Sequence, residues 1–333
     1  MKYIEKAGQT SNTVPTHVKK ILRMRLITWD EYREYLSTHG YVTFQNVKIE
    51  VGKPHKISAY SPMSNYKLET TTVWSFPDRG DWATHSGDYR GNWSPYVPRN
   101  LILKYTQPGE WVLDQMVGSG TTLVEAKLLG RNAIGVDINY QACILTIDRL
   151  NFDFHPLDRD ERVEIRVYQG DAGCLDAIND ESIDLIATHP PYWNIISYNE
   201  NLPAGDLSGI RRLEDYLLKM KEIALESFRV LKPGRFCAIL IGDTRRHKHY
   251  VPISARVMNV FLEAGFVLAE DIIKLQHKMK TTREKWRGQR FEIYGFHKIA
   301  HEHLYVFRKP TTEAEYSRLK LSTAIKDENF FAR

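Results

Sequence analysis

The chain has 333 residues, 42% of them hydrophobic and 26% charged, a composition that supports a soluble globular protein with a sizeable core. Its net charge of +5 permits an anionic partner without demanding one. The longest apolar stretch, Phe236–Ile241, is far below the roughly 18 residues of a membrane helix. The amino terminus lacks the apolar core of a secretory signal. Three scattered cysteines, Cys143, Cys174 and Cys237, form no CxxC pair, which argues against a disulfide framework and a zinc knuckle. The expectation is a cytoplasmic protein with no membrane segment and no metal centre.

In chain order, residues 1–70 read as an amino-terminal appendage. Thr16–Met24 is a short basic helix candidate. Thr28-Trp29-Asp30-Glu31 is a capping box, so a helix should run to about Thr38 and stop at Gly40. Tyr41–Val51 alternates weakly, as a strand would, and Lys53–Tyr66 reads as a linker. Residues 71–110 are rich in Gly, Pro and Trp, and a long irregular stretch in a compact protein usually serves function. A short helix is expected from Asn100 to Tyr105.

Strands and helices then alternate. Strands are expected at Trp111–Met116, Asn132–Val136, Val163–Val167, Ile183–Thr188 and Phe236–Ile241. The intervening helices are Thr121–Leu129, Tyr140–Leu150 and Leu213–Val230, with Pro252–Ala264 after the fifth strand. This order implies parallel βαβ units with right-handed crossovers. Phe266–Leu275 and His303–Phe307 have no helix between them and should pair antiparallel on one edge. Residues 71–310 would form the main domain, with a basic insertion at 277–300, and 311–333 a tail.

Two constellations carry chemistry. The first expected strand runs into Val117-Gly118-Ser119-Gly120-Thr121-Thr122, where glycines allow a tight turn and close ligand approach. The following helix start offers amides to an anionic group. Asp137 closes the next strand and can accept both hydroxyls of a ribose, and Asp171 can accept from an adenine amino group. The implied ligand is an adenosine with a small anionic tail. A GxG alone is only a tight turn; no GK[ST] follows it, and the third spaced glycine of the dinucleotide fingerprint is missing.

The second constellation is His189-Pro190-Pro191-Tyr192, at the end of the fourth expected strand. Two prolines stiffen this loop and remove two donors. The Pro190 carbonyl can then accept from an incoming amino group, and Tyr192 offers a flat face to a planar ring. Acceptors on both N–H groups would stabilise the charge that builds on an exocyclic amine under methyl attack, and an activated sulfonium methyl leaves mainly positioning to be supplied. Alone, this loop is a proline-stiffened strand exit; beside the glycine turn it reads as a catalytic loop.

Together these residues resemble the S-adenosylmethionine-dependent DNA amino-methyltransferases, which make N4-methylcytosine or N6-methyladenine. The family's D-x-F-x-G-S-G-T-T motif is matched by Asp114 to Thr122, with Met116 in place of Phe. Its [DNS]-P-P-[YFW] motif is matched by His189 to Tyr192, with His at the first position. Asn92-Trp93-Ser94-Pro95-Tyr96-Val97-Pro98 is similar to the motif that helps hold the methionine end of the cofactor, and the Trp74–Trp93 stretch would line the same site. The resemblance covers residues 70–310. It implies an α/β, class I methyltransferase-like fold: a doubly wound, mostly parallel seven-stranded sheet with an antiparallel edge pair. It implies Asp114, Met116, Gly118, Ser119, Gly120, Thr121, Thr122, Asp137 and Asp171 as the cofactor set. Serine at position 189 would indicate cytosine, and aspartate or asparagine adenine; Thr188 and Trp193 favour cytosine N4.

DNA is the implied partner, with its target base turned out of the helix, and a restriction nuclease is a second expected partner. His277–Ala300 interleaves basic and aromatic residues, suited to phosphates and bases. Within it Lys280, Arg283, Lys285, Arg287 and Arg290, together with Trp193, are the candidate nucleic-acid contacts. Arg245–His249 is a second basic cluster. Two other readings compete: an RNA or protein-amide methyltransferase on the same core, and an inactive nucleic-acid-binding relative.

Overall fold

The computed structural model describes residues 22–44, 46–62, 66–154, 163–193, 205–277 and 295–324. Its centre is a nine-stranded sheet. The strands are β1 (Arg25–Leu26), β4 (Val73–Ser75), β5 (Trp111–Asp114), β6 (Asn132–Asp137), β7 (Ile165–Gln169), β8 (Ile183–Thr188), β9 (Leu231–Ile241), β12 (Val267–Leu275) and β13 (His301–Arg308). Two hairpins stand apart, β2 (Tyr41–Phe44) with β3 (Val47–Glu50), and β10 (Thr244–Arg246) with β11 (His249–Val251). The sheet order is β1-β7-β6-β5-β8-β9-β13-β12-β4.

The five central strands β7, β6, β5, β8 and β9 are parallel. β13 pairs antiparallel with both β9 and β12. These seven strands are the expected doubly wound, class I methyltransferase-like sheet. Two short strands extend it: β1 pairs antiparallel with β7, and β4 pairs parallel with β12. The antiparallel pair is therefore covered at its outer edge by three residues from the stretch that lacked a periodic pattern.

Side chains alternate across the sheet with the period of two that a pleated strand imposes. Val112, Leu185, Ala187, Ala238 and Leu240 face one apolar cluster. Leu113, Ile186, Cys237, Ile239 and Ile241 face the other. The first cluster is closed by α2 (Tyr96–Tyr105), α3 (Thr121–Leu128) and α4 (Tyr140–Leu150); the second by α5 (Leu213–Val230) and α6 (Ile253–Glu263). Burial on both faces explains why the central strands read as continuous apolar runs.

The amino-terminal elements start as the sequence dictates. Thr28 caps α1 (Trp29–Thr38), its side chain accepting from the Glu31 amide. Glu31 does not reach back to its cap; its carboxylate takes the Arg25 guanidinium instead. Tyr32 on α1 donates to buried Asp148 on α4, and the Gly52 amide donates to the same oxygen. The chain leaves β5 towards β6 and β7, then returns to β8 beside β5. This reversal opens a crevice at the carboxyl ends of β5 and β8, where open α/β sheets bind ligands.

Candidate active site

The β5 exit is held by one carboxylate. Asp114 is buried, and its oxygens accept from the Thr122 hydroxyl at the start of α3, the Thr188 hydroxyl at the end of β8 and the Met116 amide. Burial pushes its carboxyl up to about 6, against those three hydrogen bonds. Asp114 therefore ties the glycine turn to the strand carrying the proline loop. Gly118 and Gly120 both take left-handed φ angles, 55° and 83°. A Cβ on Gly118 would stand 3.0 Å from the Tyr89 ring, so glycine is needed there for both reasons. Gly120 is the N-cap of α3, and no side chain caps it, leaving the helix start to other acceptors.

Asp137 follows at the end of β6. It accepts from the Gly118 amide and the Asn139 amide, each at 2.9 Å. Burial pushes its carboxyl up to about 7, against those two bonds. Asp171 accepts from the Gly173 amide at 2.8 Å and from Lys219 of α5 at 2.7 Å. The Lys219 pairing had no sequence signal, since a lysine 48 residues away on an amphipathic helix reads as solvated surface.

The proline loop leaves β8 into a second network. The Pro191 carbonyl accepts from the buried Tyr216 hydroxyl at 3.1 Å. His189 Nε2 lies 2.7 Å from the Tyr192 hydroxyl, which donates to Glu302 Oε1 at 2.7 Å. Lys274 donates to the other Glu302 oxygen at 2.8 Å. The Trp93 ring stacks on the His189 ring, centroids 5.6 Å apart at 21°. Burial pushes the imidazole down to about 4, so it is neutral near pH 7. Glu302 and Lys274 carry no motif and were not expected.

Both constellations line one cleft, with about 830 Å³ of empty space when the open solvent at its mouth is counted. Asp114, Met116, Gly118, Thr121, Asp137, Asp171, His189 and Pro191 reach its wall. Among the expected residues, Ser119, Gly120, Thr122, Pro190 and Tyr192 are not part of that wall. Tyr89, within the Trp74–Trp93 stretch, lines it too, and Asn139, Asp206 and Lys219 line it without a prior signal. Asn92 and Trp93 are on the wall as expected, but Trp74 and Trp82 are not. Trp74 lies buried in β4. The Trp82 indole donates to buried Glu125, which also holds His85 and Arg99.

The candidate nucleic-acid face divides differently. Lys280, Arg283, Lys285, Arg287 and Arg290 lie outside the described residues. Trp193, expected to meet the polynucleotide, is buried at 7% exposure. Its indole donates to the Arg211 carbonyl, and the Arg246 guanidinium sits 5.0 Å over the ring. An apolar ring at a strand exit was worth more in the core than on the rim. The exposed residues beside it are on the β10–β11 hairpin, where Arg246, the tip residues His247 and Lys248, and His249 are all open to solvent.

A family model described as DNA methylase matches residues 6–148 and 183–330. The Type II beta methyltransferase M.BslI of Bacillus sp. (strain NEB-606) is 27% identical over 49% of this chain and 18% of its own length. The Type II methyltransferase M.MthZI of Methanothermobacter thermautotrophicus is 41% identical over 35% of this chain and 37% of its own length. A tRNA (guanine(10)-N2)-dimethyltransferase of the same species (strain Delta H) is 31% identical over 31% of this chain and 29% of its own length. The matches thus span well under half the length of each of these relatives.

Proposed function

The chain belongs to the DNA methylase family, and from that premise we propose that it transfers a methyl group from S-adenosylmethionine to an exocyclic amino group of a base in DNA. The observation that carries this reading is that the glycine turn, Asp137, His189 and Pro191 line one cavity. The residues fit the donor. Asp137 would accept the ribose hydroxyls, and Asp171, oriented by Lys219, would accept from the adenine amino group. The α3 amino terminus and the close approach at Gly118 suit the methionine end. When bound, S-adenosylmethionine supplies a sulfonium-activated methyl group.

The chain's own residues then position the amine. The stiff loop 189–192 fixes two acceptors, the Pro190 carbonyl and the His189 imidazole, against its two N–H groups. As positive charge grows on the nitrogen, those acceptors stabilise it, and Trp93 limits the movement of the imidazole. The target base is turned out of the duplex to reach this loop. The β10–β11 hairpin supplies cations to the phosphates beside it.

Cytosine N4 is favoured over adenine N6 by Thr188 and Trp193 around the loop. A restriction nuclease as partner and a cytoplasmic location complete the reading. The similarity to a tRNA dimethyltransferase keeps RNA as the second substrate class. The test is incubation of the purified chain with methyl-labelled S-adenosylmethionine and either DNA or RNA, followed by digestion to nucleosides and mass spectrometry. N4-methylcytosine or N6-methyladenine from DNA supports the proposal. Label confined to RNA, or absent from both, overturns it.

A further inference from the structure

We infer that Tyr192, Glu302 and Lys274 form a relay that fixes the His189 proton on Nε2 and leaves Nδ1 as the acceptor for the target amine. The first half stands on the hydrogen-bond geometry and on the ionised state of Glu302 beside Lys274; the second rests on the methyl-transfer reading above.

The chain of bonds starts on the sheet. Lys274 of β12 and Glu302 of β13 are direct cross-strand partners. Lys274 donates to Glu302 Oε2, and Glu302 Oε1 receives the Tyr192 hydroxyl. Burial raises the Glu302 carboxyl, but the Lys274 ammonium and the hydrogen bonds outweigh it and hold the group below the usual carboxylate range. An ionised carboxylate only accepts. The single phenolic proton therefore points at Glu302, and the phenolic oxygen has only lone pairs to offer His189. The 2.7 Å contact between that oxygen and Nε2 then requires the proton on Nε2.

A neutral imidazole protonated on Nε2 has a bare lone pair on Nδ1. His189 Nδ1 is buried and has no hydrogen-bond partner among the described residues. Buried acceptors without a partner are rare in folded proteins and call for an explanation. Here the explanation is a donor that arrives with the substrate. The groups facing the imidazole are Tyr192 from its own loop, Trp93 from the segment before α2, and Glu302 and Lys274 from β13 and β12. None of these groups donates a hydrogen bond to Nδ1. Glu302 and Lys274 are thus positioning residues, acting on the amine through Tyr192 and His189.

Glu302→Gln gives a sharp test. With Lys274 still donating to the side-chain carbonyl, the new amide presents its NH2 to the Tyr192 oxygen. The phenolic proton turns to Nε2, and the imidazole proton moves to Nδ1. Nitrogen-15 NMR of ring-labelled histidine, with His189 assigned by loss of its signals in His189→Asn, reads this directly and needs no substrate. The expected result is an Nε2–H tautomer in the wild type and an Nδ1–H tautomer in Glu302→Gln. The variant's kcat should fall roughly 100-fold, as on loss of one aligned charge-stabilising group, with the KM for S-adenosylmethionine unchanged. A wild-type proton on Nδ1, or an unchanged tautomer in the variant, overturns the relay. A reversed tautomer with undiminished kcat overturns the acceptor role. Should Glu302→Gln fail to fold, Tyr192→Phe removes the relay oxygen and keeps the ring; a tautomer still confined to Nε2–H then overturns the relay. If no nucleic acid is methylated, the substrate reading and the acceptor role fall while the NMR result still decides the relay.

Discussion

Acidification tests the environment of His189 without any substrate. Burial lowers the imidazole from the ordinary 6.5 to about 4, so between these values the unfolded chain takes up a proton that the folded chain resists. Stability from this group is complete above pH 6.5 and is lost as pH falls towards 4. With those two pKa values, linkage gives a loss of roughly 0.8 kcal/mol at pH 6 and about 2 kcal/mol at pH 5, relative to pH 8. His189→Asn has no such titration. Asp114 and Asp137 titrate in the same range, but both proteins carry them, so their contributions cancel in the difference, and Glu302, held below the usual carboxylate range, adds little between pH 8 and pH 5. Urea unfolding of both proteins at pH 8, 6 and 5 reads that difference. It should move in the variant's favour by about 2 kcal/mol between pH 8 and pH 5. Parallel stability curves would mean that the folded imidazole accepts a proton as readily as the unfolded one, and the argument from burial would be wrong.

Three further outcomes are expected. Asp137→Ala removes the acceptor for two ribose hydroxyls and should weaken S-adenosylmethionine binding by roughly 3 kcal/mol, about 100-fold, by calorimetry; in the wild type, affinity should rise as pH passes through about 7, where Asp137 ionises. Gly242→Ala would put a Cβ 2.6 Å from the Tyr192 ring, so turnover should fall at least 10-fold while calorimetric affinity for the cofactor holds. Arg246→Ala with Lys248→Ala removes two exposed cations and should lower the salt dependence of DNA binding by a slope of about 2, measured by fluorescence anisotropy from 50 to 200 mM salt; an unchanged slope would move the phosphate contacts elsewhere.

What the chain discloses in advance depends on how far apart in sequence the interacting residues lie. The cap at Thr28 is local, and the glycine spacing that announces the turn at Gly118 is local too, although Tyr89 and Asp137 also constrain that turn from a distance. Helix and strand periods are local too, so the seven main strands could be read from apolar runs alone. Strand β4 could not, because three residues contain no period, and their pairing is decided by the exposed edge of β12. The same limit governs the site. Asp137 and the His189–Tyr192 loop carry short motifs, whereas Lys219 meets Asp171 across 48 residues and Glu302 meets Tyr192 across 110. Trp193 failed for a different reason: a tryptophan beside a catalytic loop has two outlets, stacking or packing, and the Arg211 carbonyl with the apolar cluster beneath settles it as core.

The departure at position 189 gains its sense only from these distant partners. An acidic or amide side chain in that position accepts hydrogen bonds in any setting, because its oxygen never needs to shed a proton. An imidazole accepts only if its remaining proton is kept on the other nitrogen and no second proton is added. Burial secures the second condition. A tyrosine bound to an ionised carboxylate secures the first, and that carboxylate stays ionised because Lys274 lies directly across the strand pair. A histidine in this loop therefore demands support from β12 and β13 that Asp, Asn or Ser would not. On that logic, converting His189 to Asn in this chain should make turnover indifferent to Glu302→Gln, and a double-mutant cycle on kcat that remained additive would break the link.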